Sequence, residues 1–109
     1  MKKLKVYLSP IAESKLNELL LYLVEEWSVK SKTIFLKKLK QKTTQISVHP
    51  KSCVQSEAFP GLFRLVIEKH ISLYYRINGD EIEIITIIDN RQNPESVNRE
   101  IENIAPNKK

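Results

Sequence analysis

The stretch Gly61-Leu62-Phe63-Arg64-Leu65-Val66-Ile67-Glu68-Lys69-His70-Ile71-Ser72-Leu73-Tyr74-Tyr75-Arg76-Ile77, followed by Asn78-Gly79-Asp80 and then Glu81-Ile82-Glu83-Ile84-Ile85-Thr86-Ile87-Ile88-Asp89-Asn90-Arg91, decides the fold. Its β-branched and aromatic runs predict three antiparallel strands over 62–69, 71–77 and 81–88. A tight turn or a bulge is expected near Lys69-His70. Asn78-Gly79-Asp80 is the stronger turn signal, because asparagine and glycine tolerate positive φ. Ile84, Ile85, Ile87 and Ile88 make the far end of the third strand apolar on both faces, which suits a central strand covered by helices. The meander is basic, and Arg64, Arg76 and Arg91 occupy positions that can converge on one edge of the sheet.

Upstream, Leu4, Val6 and Leu8 alternate with Lys3, Lys5 and Tyr7, the period of a half-buried strand. Ser9-Pro10 then supplies a helix cap and a proline at the first helical position, with Glu13 in the first turn. Ala12, Leu16, Leu19, Leu20, Leu23 and Trp27 step by three and four, so they form one apolar stripe. A break near 28–31 separates this helix from a second, in which Phe35, Leu36, Leu39, Thr43 and Ile46 share a side. The two helices are expected to form an antiparallel hairpin that ends at His49-Pro50. Residues 51–61 lack either period and contain Pro60-Gly61, which reads as a long loop of the kind that often carries function. Asn93-Pro94-Glu95 is expected to open a short C-terminal helix, with Val97, Ile101 and Ile104 on one side.

At 109 residues the chain is one domain, expected over 1–105 with a frayed tail at 106–109. An apolar fraction of 41% with 28% charged residues is ordinary for a globular protein, and no apolar run reaches membrane-helix length. The lone Cys53 excludes an internal disulfide and fits a reducing cytoplasm. No neighbouring motif supplies Cys53 with a base. Two histidines and one cysteine at unrelated spacings do not make a zinc site, and two glycines cannot make a phosphate-binding loop, so no metal or cofactor is expected.

The net charge of +5 is concentrated in one segment. From Trp27 through Ser56 there are seven lysines (Lys30, Lys32, Lys37, Lys38, Lys40, Lys42 and Lys51) and no acid, whereas the rest of the chain carries 11 basic and 13 acidic residues. Such a field favours a polyanionic partner, a nucleic acid or an acidic protein surface. A solvated helix face accounts for the same lysines equally well.

The order of strand, two helices, three strands and a C-terminal helix resembles the RelE/ParE superfamily of toxins. Three local matches carry the resemblance: Ser9-Pro10-Ile11-Ala12 before a leucine helix ending in Glu26-Trp27-Ser28; Pro60-Gly61-Leu62-Phe63-Arg64 entering a strand; and Tyr74-Tyr75-Arg76-Ile77 with the later Ile88-Asp89-Asn90-Arg91. The resemblance implies an α+β fold: an N-terminal strand, an α-helical hairpin, a three-stranded antiparallel meander and a short C-terminal helix. It also implies the toxin of a type II toxin-antitoxin pair, a cytoplasmic growth inhibitor neutralised by a cognate antitoxin.

The superfamily divides by target. RelE-like members are ribosome-dependent endoribonucleases that cleave messenger RNA, and ParE-like members inhibit DNA gyrase. Cleavage by 2′-hydroxyl attack requires a proton acceptor, a proton donor and cations for the charged phosphorane. Arg64, Arg91, His70 and Lys51 are the residues available for a metal-independent nuclease. Against that, RelE-like enzymes carry a basic residue where this chain has Ile71 and Ser72, and a C-terminal tyrosine where it has Val97. The departures favour the ParE-like, non-nuclease side, acting by binding. Lys37, Lys38, Lys40, Arg64, Tyr75, Arg76 and Arg91 are then the expected contacts for gyrase or the antitoxin. A degenerate toxin that only binds its antitoxin and regulates their operon is a third reading.

Overall fold

The computed structural model describes residues 3–57 and 59–90. Strand β1 (Lys5–Leu8) runs into Ser9, whose hydroxyl accepts from the Ala12 amide at 3.0 Å and so caps helix α1 (Pro10–Glu26). Only Trp27 and Ser28 separate α1 from α2 (Val29–Val48), because Ser28 is itself a cap and accepts from the Ser31 amide at 3.0 Å. The helices therefore break over fewer residues than the expected 28–31. His49 closes α2 ahead of Pro50, as the sequence predicts.

The loop is not wholly irregular. Val54–Gln55 forms a two-residue strand, β2, that pairs antiparallel with β3 (Phe63–Glu68). Strands β4 (Ile71–Asn78) and β5 (Glu81–Asp89) complete a five-stranded sheet ordered β1-β5-β4-β3-β2, so the meander gains a strand at each side. β1 lies parallel to β5 and the other neighbours are antiparallel. Turn chemistry behaves as the sequence suggests. Gly79 has φ +59° in the two-residue turn between β4 and β5, and Gly61 has φ +89° after Pro60, where the Leu62 amide returns to the Phe59 carbonyl at 3.1 Å. At the β3–β4 connection both expected devices occur together, a turn at Lys69-His70 and a register shift between Val66 and Glu68.

The helical hairpin covers one face of the sheet. Ala12, Leu19, Leu23, Phe35 and Ile46 pack with Phe63, Leu65, Ile67, Leu73, Tyr75, Ile82, Ile84 and Ile87 into the main core. On the other face Leu62, Ile85 and Ile88 form a second, smaller cluster, against which Phe59 and Tyr74 pack. β5 is therefore buried on both faces, and a bulge sets which isoleucines meet each cluster. Tyr74 pairs with Thr86 but Tyr75 pairs with Ile84, so Ile85 is the extra residue. Its carbonyl accepts from the Ser9 hydroxyl at 2.8 Å, while the Ser9 amide donates to the Ile84 carbonyl at 3.0 Å. One side chain thus caps a helix and closes the gap in a ladder.

Two expected core positions are outside it. Trp27 is 62% exposed and Leu36 37% exposed. Trp27 is the residue that ends α1, with φ and ψ of −127° and −83°, so the helical phase that aligned it with Leu23 no longer applies. The expected C-terminal helix, with Val97, Ile101 and Ile104, lies outside the described residues, as does Arg91. No described helix is long and apolar enough to cross a membrane.

Candidate binding surface

Strand alternation sets the side chains that face away from the helices. Arg64 pairs with Tyr74, and Tyr74 and Arg76 are two apart on β4, so all three project from the same face. Arg64 and Arg76 are diagonal neighbours on adjacent strands, a spacing of about 7–8 Å. They converge on a face, not on an edge, because the edge strands are β1 and β2.

The two arginines differ in freedom. Arg76 donates through Nε to Glu83 Oε1 at 2.8 Å, and Asn78 Nδ2 donates to the same oxygen at 3.2 Å. Arg64 is exposed and has no ion pair or hydrogen bond through its side chain among the described residues. Glu68, four residues along β3 from Arg64, sits 3.6 Å from Lys38 instead.

Tyr75 is not a surface contact. It is fully buried, stacked on Phe63 at 5.3 Å, and its hydroxyl donates to the Pro50 carbonyl at 2.8 Å. Burial, and then the neighbouring Cys53 thiol, hold the phenol well above its ordinary pKa. Alternation states only that Tyr74 and Tyr75 oppose one another. The helical core takes Tyr75, which leaves Tyr74, half-buried with its ring edge-on to Phe59 at 6.2 Å, as the aromatic of the arginine face.

The remaining cations lie elsewhere. Lys37, Lys38 and Lys40 are exposed on α2, in the layer behind the sheet. Lys40 borders an apolar groove with Val6, Leu8, Leu16 and Leu39. His70 is exposed at the β3–β4 turn, whereas Lys51 borders a cleft with Ile77 and Gly79, at the β4–β5 turn. Those two turns are at opposite ends of β4, so Lys51 and His70 are not brought together. Arg64 is four residues from the end of β3, roughly 13 Å along the strand from the His70 turn. Among the described residues named for RNA cleavage, His70 is thus brought near neither Lys51 nor Arg64.

A third surface was missed at the sequence level. Leu23, Trp27, Ser31, Ile34, Lys69 and His70 help to line a cleft of about 320 Å³ between the tip of the helical hairpin and the β3–β4 turn. The signal available in the sequence was the helix cap at Ser28, one residue after Trp27, which removes that tryptophan from the buried stripe.

A helical hairpin laid over one face of a β1-β5-β4-β3-β2 sheet is the architecture of a RelE/ParE-superfamily toxin. The chain belongs to the ParE toxin family, whose model, described as the ParE toxin of the type II toxin-antitoxin system parDE, matches residues 6–94. Among solved structures it is similar to one titled "Chromosomal ParDE TA system from P. aeruginosa", with a TM-score of 0.68 at 17% sequence identity over 80% of this chain and 96% of that one. At that identity the likeness concerns the fold. No curated protein matches the chain. The protein is accordingly a type II toxin, and the partner of such a toxin is an antitoxin.

Proposed function

We propose that this toxin acts in the ParE manner, by binding DNA gyrase, and that the open face of the sheet around Arg64 makes the contact. The observation that carries this reading is the state of Arg64. It is a cation whose backbone is held in a central strand, exposed, without an ion pair among the described residues, beside the half-buried ring of Tyr74. A guanidinium so placed can take a carboxylate or a phosphate through two parallel hydrogen bonds. Arg76 supports it electrostatically while held by Glu83. Lys37 and Lys40 contribute a diffuse field from the helical layer that favours approach of an acidic or DNA-bound target. The separation of Lys51 from His70 speaks against a shared acid-base centre for RNA cleavage.

The test is inducible expression without antitoxin, with DNA and protein synthesis pulse-labelled in the same culture, beside a supercoiling assay of purified gyrase. Early loss of DNA synthesis and inhibited supercoiling are expected. Early loss of translation would transfer the activity to message cleavage and make Arg91→Ala the next variant. No effect on either would leave a module that binds only its antitoxin.

A further inference from the structure

We infer that the outward face of α2 is a contact surface for the backbone of double-stranded DNA, engaged without regard to sequence and independent of the gyrase reading. Lys30, Thr33, Lys37, Lys40, Gln41 and Thr44 step by three and four along the helix and are all exposed, so they form one ridge. Phe35 and Ile46, buried in the main core, occupy the opposite side of α2. The hairpin covers one face of the sheet and Arg64 projects from the other, so the ridge and the arginine face point away from one another.

The ridge is cationic and uncompensated. Lys38, on its flank, meets Glu68 at 3.6 Å, whereas Lys30, Lys37 and Lys40 have no ion pair among the described residues. No carboxylate occurs between Trp27 and Ser56. The acids of the neighbouring helix α1, Glu13, Glu18, Glu25 and Glu26, form no ion pair with α2 among the described residues.

The chemistry of the ridge selects duplex DNA among polyanions. A protein partner would need a desolvated apolar centre, but the exposed apolar residues of α2, Val29, Ile34 and Leu36, lie to either side of the ridge and not within it. Single strands and RNA loops are held by stacking, and the one aromatic of α2, Phe35, is buried. The cations are all lysines, which meet phosphate as point charges and lack the planar fork that reads guanine, while Gln41 and Thr44 add neutral donors of the kind that bind phosphate oxygens. From Lys30 to Lys40 the helix rises about 15 Å, so the three charges spread over several phosphates of a regular backbone.

The test is fluorescence anisotropy of a labelled duplex of about 20 base pairs, titrated with the purified toxin across a salt series, beside a single strand of equal length and a polyglutamate chain. Three neutralised phosphates predict a slope of log K against log salt of about −3, a loss of about 40-fold between about 50 and about 200 mM, and equal affinity for duplexes of unrelated sequence. Lys30→Gln combined with Lys37→Gln and Lys40→Gln should weaken binding about tenfold or more at the lower salt and flatten the slope toward zero, with circular dichroism unchanged. Arginine at the same three positions should preserve both affinity and slope, and Arg64→Ala should alter neither. No saturable rise up to about 100 µM toxin at the lower salt would overturn the proposal, as would an unchanged affinity in the triple glutamine variant or an equal loss in Arg64→Ala. Binding to the single strand as tight as to the duplex would also overturn it, and equal binding to polyglutamate would assign the ridge to an acidic protein instead. Gyrase is absent from the assay, so the outcome does not depend on the toxin's target.

Discussion

The Tyr75 hydroxyl donates to the Pro50 carbonyl at 2.8 Å, which fastens the middle of β4 to the chain just after the helical hairpin. The contact joins the sheet to the helical layer at Pro50, just past the end of α2, where the carbonyl has no helical partner because the chain has left the helix at His49. It also fixes the start of the loop that carries Lys51, Cys53 and β2.

Replacing Tyr75 by Phe keeps the stacking on Phe63 and removes that bond, at a cost of about 1 kcal/mol in denaturant unfolding. A second effect concerns pH. The folded phenol is held above its ordinary value of 10.0, so below about pH 10 both states are protonated and the contribution to stability is complete. Above that pH the unfolded chain releases the proton first, and stability falls as pH rises toward the folded value. Tyr75→Phe should therefore make the decline above pH 10 shallower, as measured by urea midpoints across an alkaline series. An unchanged slope would remove the linkage.

Ser9→Ala breaks two contacts at once, the cap on the Ala12 amide and the bond to the Ile85 carbonyl. The buried carbonyl loses its partner, so a loss of about 2 kcal/mol is expected, more than a cap alone usually costs. Ser9→Thr should restore most of it. Equal melting temperatures for Ser9→Ala and the parent would refute the dual role.

Thr86→Val should raise the melting temperature. Thr86 Oγ1 and Ser72 Oγ are buried without hydrogen-bond partners on the arginine side of the sheet. An apolar group of the same shape removes an uncompensated desolvation penalty of order 1 kcal/mol. A destabilised variant would mean that the hydroxyl has a bound partner in solution.

Arg64→Ala should leave stability within about 0.5 kcal/mol of the parent, since the side chain is exposed. On the proposed function it should lower toxicity sharply. Arg76→Ala should cost up to about 1 kcal/mol through loss of the exposed Glu83 pair, with a smaller effect on growth inhibition. If both variants kill as well as the parent, the arginine face is not the working surface.

The features legible in the sequence are those whose cause is local. Ser9-Pro10, His49-Pro50 and Asn78-Gly79 specify their conformations through caps, a missing amide and positive φ, and the helices and turns begin and end there. Features with distant causes were not legible. Val54–Gln55 is too short to show a period and exists because Phe63 and Arg64 present a free strand edge. The carbonyl of the Ile85 bulge finds its partner in Ser9, far away in the chain. The same limit applies to the site: alternation separates Tyr74 from Tyr75, but only the position of the helical core decides which one faces solvent. Arg64 was legible as a candidate, whereas the stepping of Trp27 continues a stripe that the helix itself abandons, and only the Ser28 cap marks its exit.

The Ser9–Ile85 contact spans 76 residues, and β1 pairs only with β5 within the sheet. During synthesis the N-terminal strand must wait until the last described strand leaves the exit tunnel, roughly 4–15 s later at ordinary elongation rates. Helix α1 can form early, but its capping serine has no ladder to close until then. A nascent chain consequently has no intact sheet until β5 emerges, so the surfaces that depend on the closed sheet appear late and together.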